Sequence, residues 1–294
     1  MAKFGKSSSA EDVTAGLDLR GRLALVTGVN SGIGFETLRV LALRGATVIG
    51  TARTREKAEA ACARVAGDTL PLACELESRA SIRDCAQRVA ALGRGLDVLV
   101  ANAGIMALPR LEHVNGVEKQ FATNHLGHFL LTNLLVPQLE RSEAARVVVV
   151  SSAAHLSAPP SGIEFDNLDG ARGYSAWRAY GQSKLANVLF AKSLARRLGG
   201  KRTANSLHPG LIGTNLARSM NPLLKGAMGL FMRPFSKTIP QGAATSCYVA
   251  TRPELAAFSG EYFSDCAPAR TNPHADDAAL AERLWQTSER LTGL

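Results

Sequence analysis

The chain has 294 residues, long enough for one large domain with an ample core. Its 34 basic and 25 acidic residues give a formal net charge of +9, but the arginines are scattered. The absence of a basic stripe interleaved with aromatics, or of any nucleic-acid motif, argues against a nucleic-acid or membrane-surface protein and leaves a charged surface suited to an anionic ligand. The five cysteines form no Cys-x-x-Cys pair and no metal-like group with histidine, so they read as buried thiols in a reducing compartment, with no metal site.

Residues 1–20 are polar and mixed in charge, without the apolar core of a signal peptide or a transmembrane helix. They are expected to form an N-terminal arm on a domain spanning 21–294, in a cytoplasmic protein. Residues 23–27, Leu-Ala-Leu-Val-Thr, read as a buried strand, followed by Gly28-Val29-Asn30-Ser31-Gly32-Ile33-Gly34 and a helical pattern over 35–44. Gly28 suits a tight turn, Gly32 the approach of a pyrophosphate, and Gly34 close packing of helix on strand, with the helix N-terminus facing phosphate. The spacing differs from Gly-x-Gly-x-x-Gly, and a glycine turn used only for packing stays open.

Further strands are predicted at 47–51, 69–73, 96–101, 146–151, 204–208 and 260–263, most of them separated by helical patterns. This alternation predicts an α/β fold: a Rossmann-type doubly wound parallel sheet of about seven strands flanked by helices, in a single domain. The continuous runs Val98-Leu99-Val100 and Val147-Val148-Val149-Val150 suit strands covered on both faces. Ligands sit beyond the carboxyl ends of such strands. Asn102, Ser152 and the Pro209-Gly210 turn, each just past a strand end, should therefore share one crevice. His125 and His128 fall on a predicted helix and read as structural; His208 precedes the proline of a strand-end turn.

Tyr180-Gly181-Gln182-Ser183-Lys184 sets a phenol and an ammonium on one helical face. A cation beside a phenol favours the phenolate and lowers the tyrosine pKa toward neutrality, where it can serve as general acid or base. Tyr-x-x-x-Lys also arises by chance in ordinary helices.

In order, residues 27–34, Asn102-Ala103-Gly104, Asn124, Ser151-Ser152, Tyr180-x-x-x-Lys184 and Pro209-Gly210 resemble the motif set of the short-chain dehydrogenase/reductase superfamily. Within it, Asn124-His125-Leu126-Gly127-His128-Phe129, Gln182-Ser183-Lys184-Leu185-Ala186-Asn187 and His208-Pro209-Gly210 resemble the retinol dehydrogenase branch. Arg233-Pro234-Phe235-Ser236-Lys237 and Gln241-Gly242-Ala243-Ala244-Thr245 are similar to the oxidoreductase region of WW domain-containing oxidoreductases, although no WW module is present.

The resemblance implies catalytic roles for Asn124, Ser152, Tyr180 and Lys184. Tyr180 exchanges a proton with the substrate oxygen, Lys184 binds the nicotinamide ribose and lowers the tyrosine pKa, Ser152 bonds the substrate oxygen, and Asn124 holds a relay water. It implies cofactor contacts from Gly28, Asn30, Ser31, Gly32, Ile33, Gly34, Arg53, Glu75, Asn102, Ala103, Gly104, Tyr180, Lys184, Pro209, Gly210 and Thr214. Ser152 is chosen over Ser151 because the second serine of the pair is the family's catalytic one. The long interval 153–179 reads as a loop over the site. In Gly50-Thr51-Ala52-Arg53-Thr54-Arg55, Ala52 stands where an NAD enzyme places an acid, and Arg53 is ready to clamp a 2′-phosphate, with Arg55 weaker. NADP(H) is therefore favoured over NAD(H).

Substrate recognition is expected over 211–240, where the apolar run 222–232, with Phe231, reads as a lid over a lipophilic substrate or as a packing contact. The expected activity is NADP(H)-dependent hydride transfer on a hydrophobic aldehyde, ketone or alcohol. The alternatives are a carbon-carbon double-bond reductase of the protochlorophyllide reductase type and a low-turnover nucleotide-binding scaffold. A homodimer or homotetramer is possible by analogy, built on the helices before the fifth and sixth strands.

Overall fold

The computed structural model describes residues 4–212 and 236–294. Its strands are Leu23–Thr27 (β1), Thr47–Ala52 (β2), Thr69–Ala73 (β3), Val98–Ala101 (β4), His113–Val114 (β5), Val117–Glu118 (β6), Arg146–Val150 (β7), Thr203–His208 (β8), Tyr262–Ser264 (β9) and Ala267–Pro268 (β10). The helices are Ala10–Thr14 (α1), Gly32–Leu43 (α2), Arg55–Cys62 (α3), Arg79–Ala91 (α4), Lys119–Phe121 (α5), Gly127–Leu134 (α6), Val136–Glu140 (α7), Ala176–Arg197 (α8), Ile239–Thr251 (α9) and Ala278–Thr292 (α10).

The main sheet runs β10-β9-β8-β7-β4-β1-β2-β3. The seven strands from β9 to β3 are mutually parallel, as the alternation of strands and helices predicts. The eighth, β10, pairs antiparallel with β9 across a two-residue turn at Asp265 and Cys266, both with positive φ. At two residues it makes no apolar run, so the sequence pattern misses it. The chain fills the sheet outward from β1 to β3, then returns to place β4 on the other side of β1. That reversal opens a crevice above the carboxyl ends of β1 and β4.

Side chains alternate across the sheet. Leu23 and Leu25 of β1 join one cluster with Ile82, Phe129 and Phe190, while Ala24 and Val26 join the other with Leu38, Leu41 and Cys247. Because both faces are covered, the strands read as unbroken apolar runs. All five cysteines are buried and free.

Residues 4–20 lie along the body: Ala10 and Val13 of α1 are fully buried, and the Phe4 ring sits 5.9 Å from that of Tyr248 on α9. The C-terminal helix α10 covers the outer face of α6 and α8. Its Trp285 ring lies 4.9 Å from Phe129 and 5.9 Å from Phe190, with the Arg197 guanidinium 3.9 Å above it. Arg197 also pairs with Glu282 at 2.7 Å, and His125 meets Ser288 Oγ at 2.9 Å. No helix of the described residues is long and apolar enough to cross a membrane.

Candidate active site

The glycine loop is shaped by contacts that exclude side chains. Gly28 has φ +74°, and a Cβ there would lie 2.9 Å from the Ala103 Cβ; Gly34 packs on the Gly28 carbonyl and the Asn102 amide. The loop is tied back by Gly28 and Val29, whose N–H groups donate to the Thr51 carbonyl at 2.8 and 3.0 Å. Helix α2 begins at Gly32, three residues before the predicted start, because the loop itself supplies the first turn. Ser31 at its N-cap makes no side-chain capping bond. The orphan N–H groups of the first turn are therefore left for an anion.

Asn102 and Ala103 follow β4. Their backbone N–H groups both donate to Thr27 Oγ1 at 2.9 Å, and Asn102 Nδ2 donates to the Thr27 carbonyl at 2.8 Å. This fastens the loop after β4 to the end of β1 across the crevice floor.

Asn124 lies in a π-helical turn, Ala122–Leu126, between α5 and α6, where the sequence pattern predicts ordinary helix. The wider turn carries a fully buried side chain, a common setting for π-turns at functional sites. Asn124 Oδ1 accepts from Ile105 N–H at 2.8 Å, while Nδ2 donates to the Ile105 carbonyl at 2.9 Å and to Ser183 Oγ at 3.0 Å. A Cβ on Gly104 would lie 3.1 Å from Asn124 Oδ1 and 3.6 Å from Lys184 Nζ, so residues 104, 124 and 184 meet.

The two serines after β7 separate cleanly. Ser151 Oγ is buried and donates to the Lys184 carbonyl at 2.7 Å, pinning α8 to the strand. Ser152 Oγ accepts from Ala154 N–H at 3.2 Å and lies near enough to the Tyr180 phenol to draw its pKa down. Far from being a plain loop, the interval 153–179 opens with a 3-10 turn, Ala153–Ser157, that lies directly on α8. Gly181 permits this, since a Cβ there would come within 2.7 Å of the Ala154 carbonyl. The close approach brings Ser152 onto Tyr180.

Tyr180 and Lys184 lie one turn apart on α8, both buried, with Lys184 Nζ 5.6 Å from the centre of the phenol ring. Nζ donates to the Val150 carbonyl at 3.1 Å. Burial pushes the Tyr180 phenol up to about 12 against the opposing pull of nearby Ser152, and burial pushes Lys184 down to about 8. This corrects the expectation that the ammonium draws the phenol toward neutrality. In the protein alone, desolvation sets the direction and favours the uncharged form of each group.

At the far end of the crevice, Arg53 follows β2 and is exposed; among the described residues no hydrogen bond or ion pair engages it. Arg55 differs, pairing with Glu59 one turn along α3 at 2.7 Å. Glu75 follows β3. Burial and the nearby Glu77 raise its pKa, and the Arg53 and Lys119 charges draw it down, which places Arg53 and Glu75 on one side of the crevice. Pro209 and Gly210 follow β8, with Gly210 at φ +97° against the buried Lys237 side chain. Thr214, the 222–232 run and Phe231 lie outside the described residues.

Sequence reasoning passed over Thr27, Gly181 and Ser183. Thr27 was visible as the polar end of an apolar strand, and Gly181 as a glycine inside a helical pattern. Nothing in the sequence marked Ser183 as a partner of Asn124.

The family model for short chain dehydrogenase matches residues 22–165. Among curated proteins, the chain is 43% identical to the short-chain dehydrogenase TIC 32 B, chloroplastic, of Brassica napus, over 98% of this chain and 94% of that one. It is 41% identical to mouse retinol dehydrogenase 12, over 96% and 89%. Among solved structures, an uncharacterized protein from Mycobacterium Paratuberculosis superposes with a TM-score of 0.79 at 38% identity, covering 98% of both chains. Pseudomonas aeruginosa RhlG, in an active-site complex with NADP, gives 0.66 at 30% identity over 84% and 95%. The chain therefore belongs to the short-chain dehydrogenase/reductase family, oxidoreductases that bind a nicotinamide cofactor, and to its retinol dehydrogenase-like branch.

Proposed function

We propose that the protein is an NADP(H)-dependent alcohol dehydrogenase or carbonyl reductase acting on hydrophobic aldehydes, ketones or alcohols. The observation that carries this reading is the buried Tyr180 phenol beside Ser152, with the Lys184 ammonium 5.6 Å from the centre of its ring. The residues fit a dinucleotide: the uncapped first turn of α2 suits its pyrophosphate, the 102–104 backbone and Lys184 its nicotinamide half, and the unengaged Arg53 a 2′-phosphate. When bound, the cofactor supplies the hydride. Tyr180 gives its proton to the substrate oxygen, and Ser152 donates a hydrogen bond to the same atom. Because Ser152 Oγ already accepts from Ala154, its own proton is directed away from that backbone. Lys184 stabilises the phenolate left behind, and Asn124 orders the groups around Lys184.

A phenol pushed up to about 12 keeps its proton at neutral pH and so can act as the donor. An exposed apolar side chain beside the phenol supports a lipophilic substrate: Trp177, 43% exposed, has its ring 6.2 Å from that of Tyr180. Retinol dehydrogenases among the relatives point the same way. We place the protein in the cytoplasm, where fractionation should find it; recovery with an organelle, as the name of the Brassica relative suggests, would move it.

The test is a panel of retinal, long-chain aldehydes and small ketones with NADPH and NADH, followed at the nicotinamide absorbance. Turnover of the apolar carbonyls with NADPH is expected. No oxidation of either nucleotide with any carbonyl would sink the reading.

A further inference from the structure

His128 is fully buried on α6, one helical turn after Asn124, and both of its ring nitrogens are engaged. Nδ1 lies 3.0 Å from the Asn124 carbonyl oxygen, and Nε2 lies 2.9 Å from Thr27 Oγ1. A carbonyl only accepts, so Nδ1 carries the hydrogen. Burial holds His128 neutral, its pKa pushed down to about 4, with the Lys184 charge acting in the same direction. Nε2 is then an acceptor, and the Thr27 hydroxyl must donate to it. The hydroxyl oxygen, its proton committed to the ring, is left to accept the two backbone N–H groups of Asn102 and Ala103. The Val100 carbonyl also lies 3.5 Å from this hydroxyl, but the much shorter 2.9 Å contact to Nε2 takes the proton.

We propose that His128 is a positioning residue that holds the Asn102–Ala103 backbone, through Thr27, in fixed register with the π-helical turn bearing Asn124. This rests on the proposed dehydrogenase reading, which places the nicotinamide half of the cofactor against 102–104 and the proton-handling groups around Asn124. The ring joins the two. Neighbouring His125 sits in the same turn but faces away from the crevice, bonded to Ser288 of α10. The two histidines therefore anchor the turn from opposite sides, and only His128 reaches the cofactor floor.

The test compares His128→Phe, which keeps a ring but removes both nitrogens, with Thr27→Val, Thr27→Ser and the His128→Phe/Thr27→Val double variant. Nicotinamide nucleotide binding is read by fluorescence, turnover is read by absorbance, and folding is checked by thermal melting. His128→Phe and Thr27→Val should each weaken NADPH binding and lower kcat by about 10-fold to 100-fold. The double variant should be no worse than the weaker single one, because both changes cut the same link. Thr27→Ser, retaining the hydroxyl, should recover most of the loss. Where His128→Phe fails to fold, near-isosteric Thr27→Val carries the test. Wild-type Kd and kcat in Thr27→Val, or losses that multiply in the double variant, overturn the inference while leaving the dehydrogenase reading intact. A wild-type protein that binds neither nucleotide removes both.

Discussion

The two ends of the crevice are built differently. At the proposed nicotinamide end, Asn124, Tyr180 and Lys184 are all at most 4% exposed, and Asn124 and Lys184 already have partners within the chain. At the adenosine end, Arg53 is exposed and unengaged, and its neighbour Arg55 is held by a surface pair. On the proposed reading, the chemistry falls to a buried, low-dielectric group of side chains, where small changes are costly, and cofactor choice to a solvated cation that can be replaced with little structural effect.

The sharpest way to break this contrast is at the buried end. Tyr180→Phe removes the proton donor without changing the packing, and kcat should fall by about 10²-fold to 10⁴-fold with little change in melting temperature. Comparable turnover in steady-state assays would show that the phenol is not the acid. Lys184→Met should cost nearly as much kcat and also raise KM for the nucleotide, since both roles sit on one ammonium.

At the exposed end, Arg53→Asp should leave kcat with saturating nucleotide almost unchanged while shifting the NADPH-to-NADH ratio of kcat/KM by about 10-fold to 100-fold, the size expected for losing one charged hydrogen bond. An unchanged ratio would move the 2′-phosphate site elsewhere.

pH separates stability from binding. Burial holds Lys184 near 8, against an ordinary value of 10.5. Between these values the unfolded chain binds the proton and the folded chain does not, so this lysine makes stability rise with pH across pH 8 to 10.5. Nucleotide affinity should move the opposite way, weakening as the ammonium is lost above about pH 8. Denaturant titrations and fluorescence binding over that range test the pair of slopes, and Lys184→Met should flatten both. The smallest effect is expected for Ser151→Ala, which loses one buried bond to the Lys184 carbonyl and should cost about 1 kcal/mol of stability with kcat nearly intact.

What could be read in advance follows the same division. The seven parallel strands were legible because a strand buried on both faces is written as an unbroken apolar run, and β1 and β7 are of this kind. The Gly28–Gly34 loop and the Tyr180–Lys184 pair were legible because their spacing is local. The π-turn at Asn124 was not, since a single wide turn leaves the apolar periodicity on either side intact. Nor was the phenol's raised pKa, because burial depends on segments far away in the sequence: the 153–157 turn meets α8 only through the absent side chain of Gly181. The antiparallel edge strand escaped for a different reason, being too short to carry a pattern.

The helix over Ala278–Thr292 makes the proton-handling corner depend on a distant stretch of chain. Its Trp285 and Ser288 close the rear of the turn that presents Asn124. The parallel strands and glycine loop can pair without this helix, whereas the Asn124 turn loses its backing when the helix lifts away. A local opening of that one wall would therefore disarm the site while the sheet beneath it stays folded.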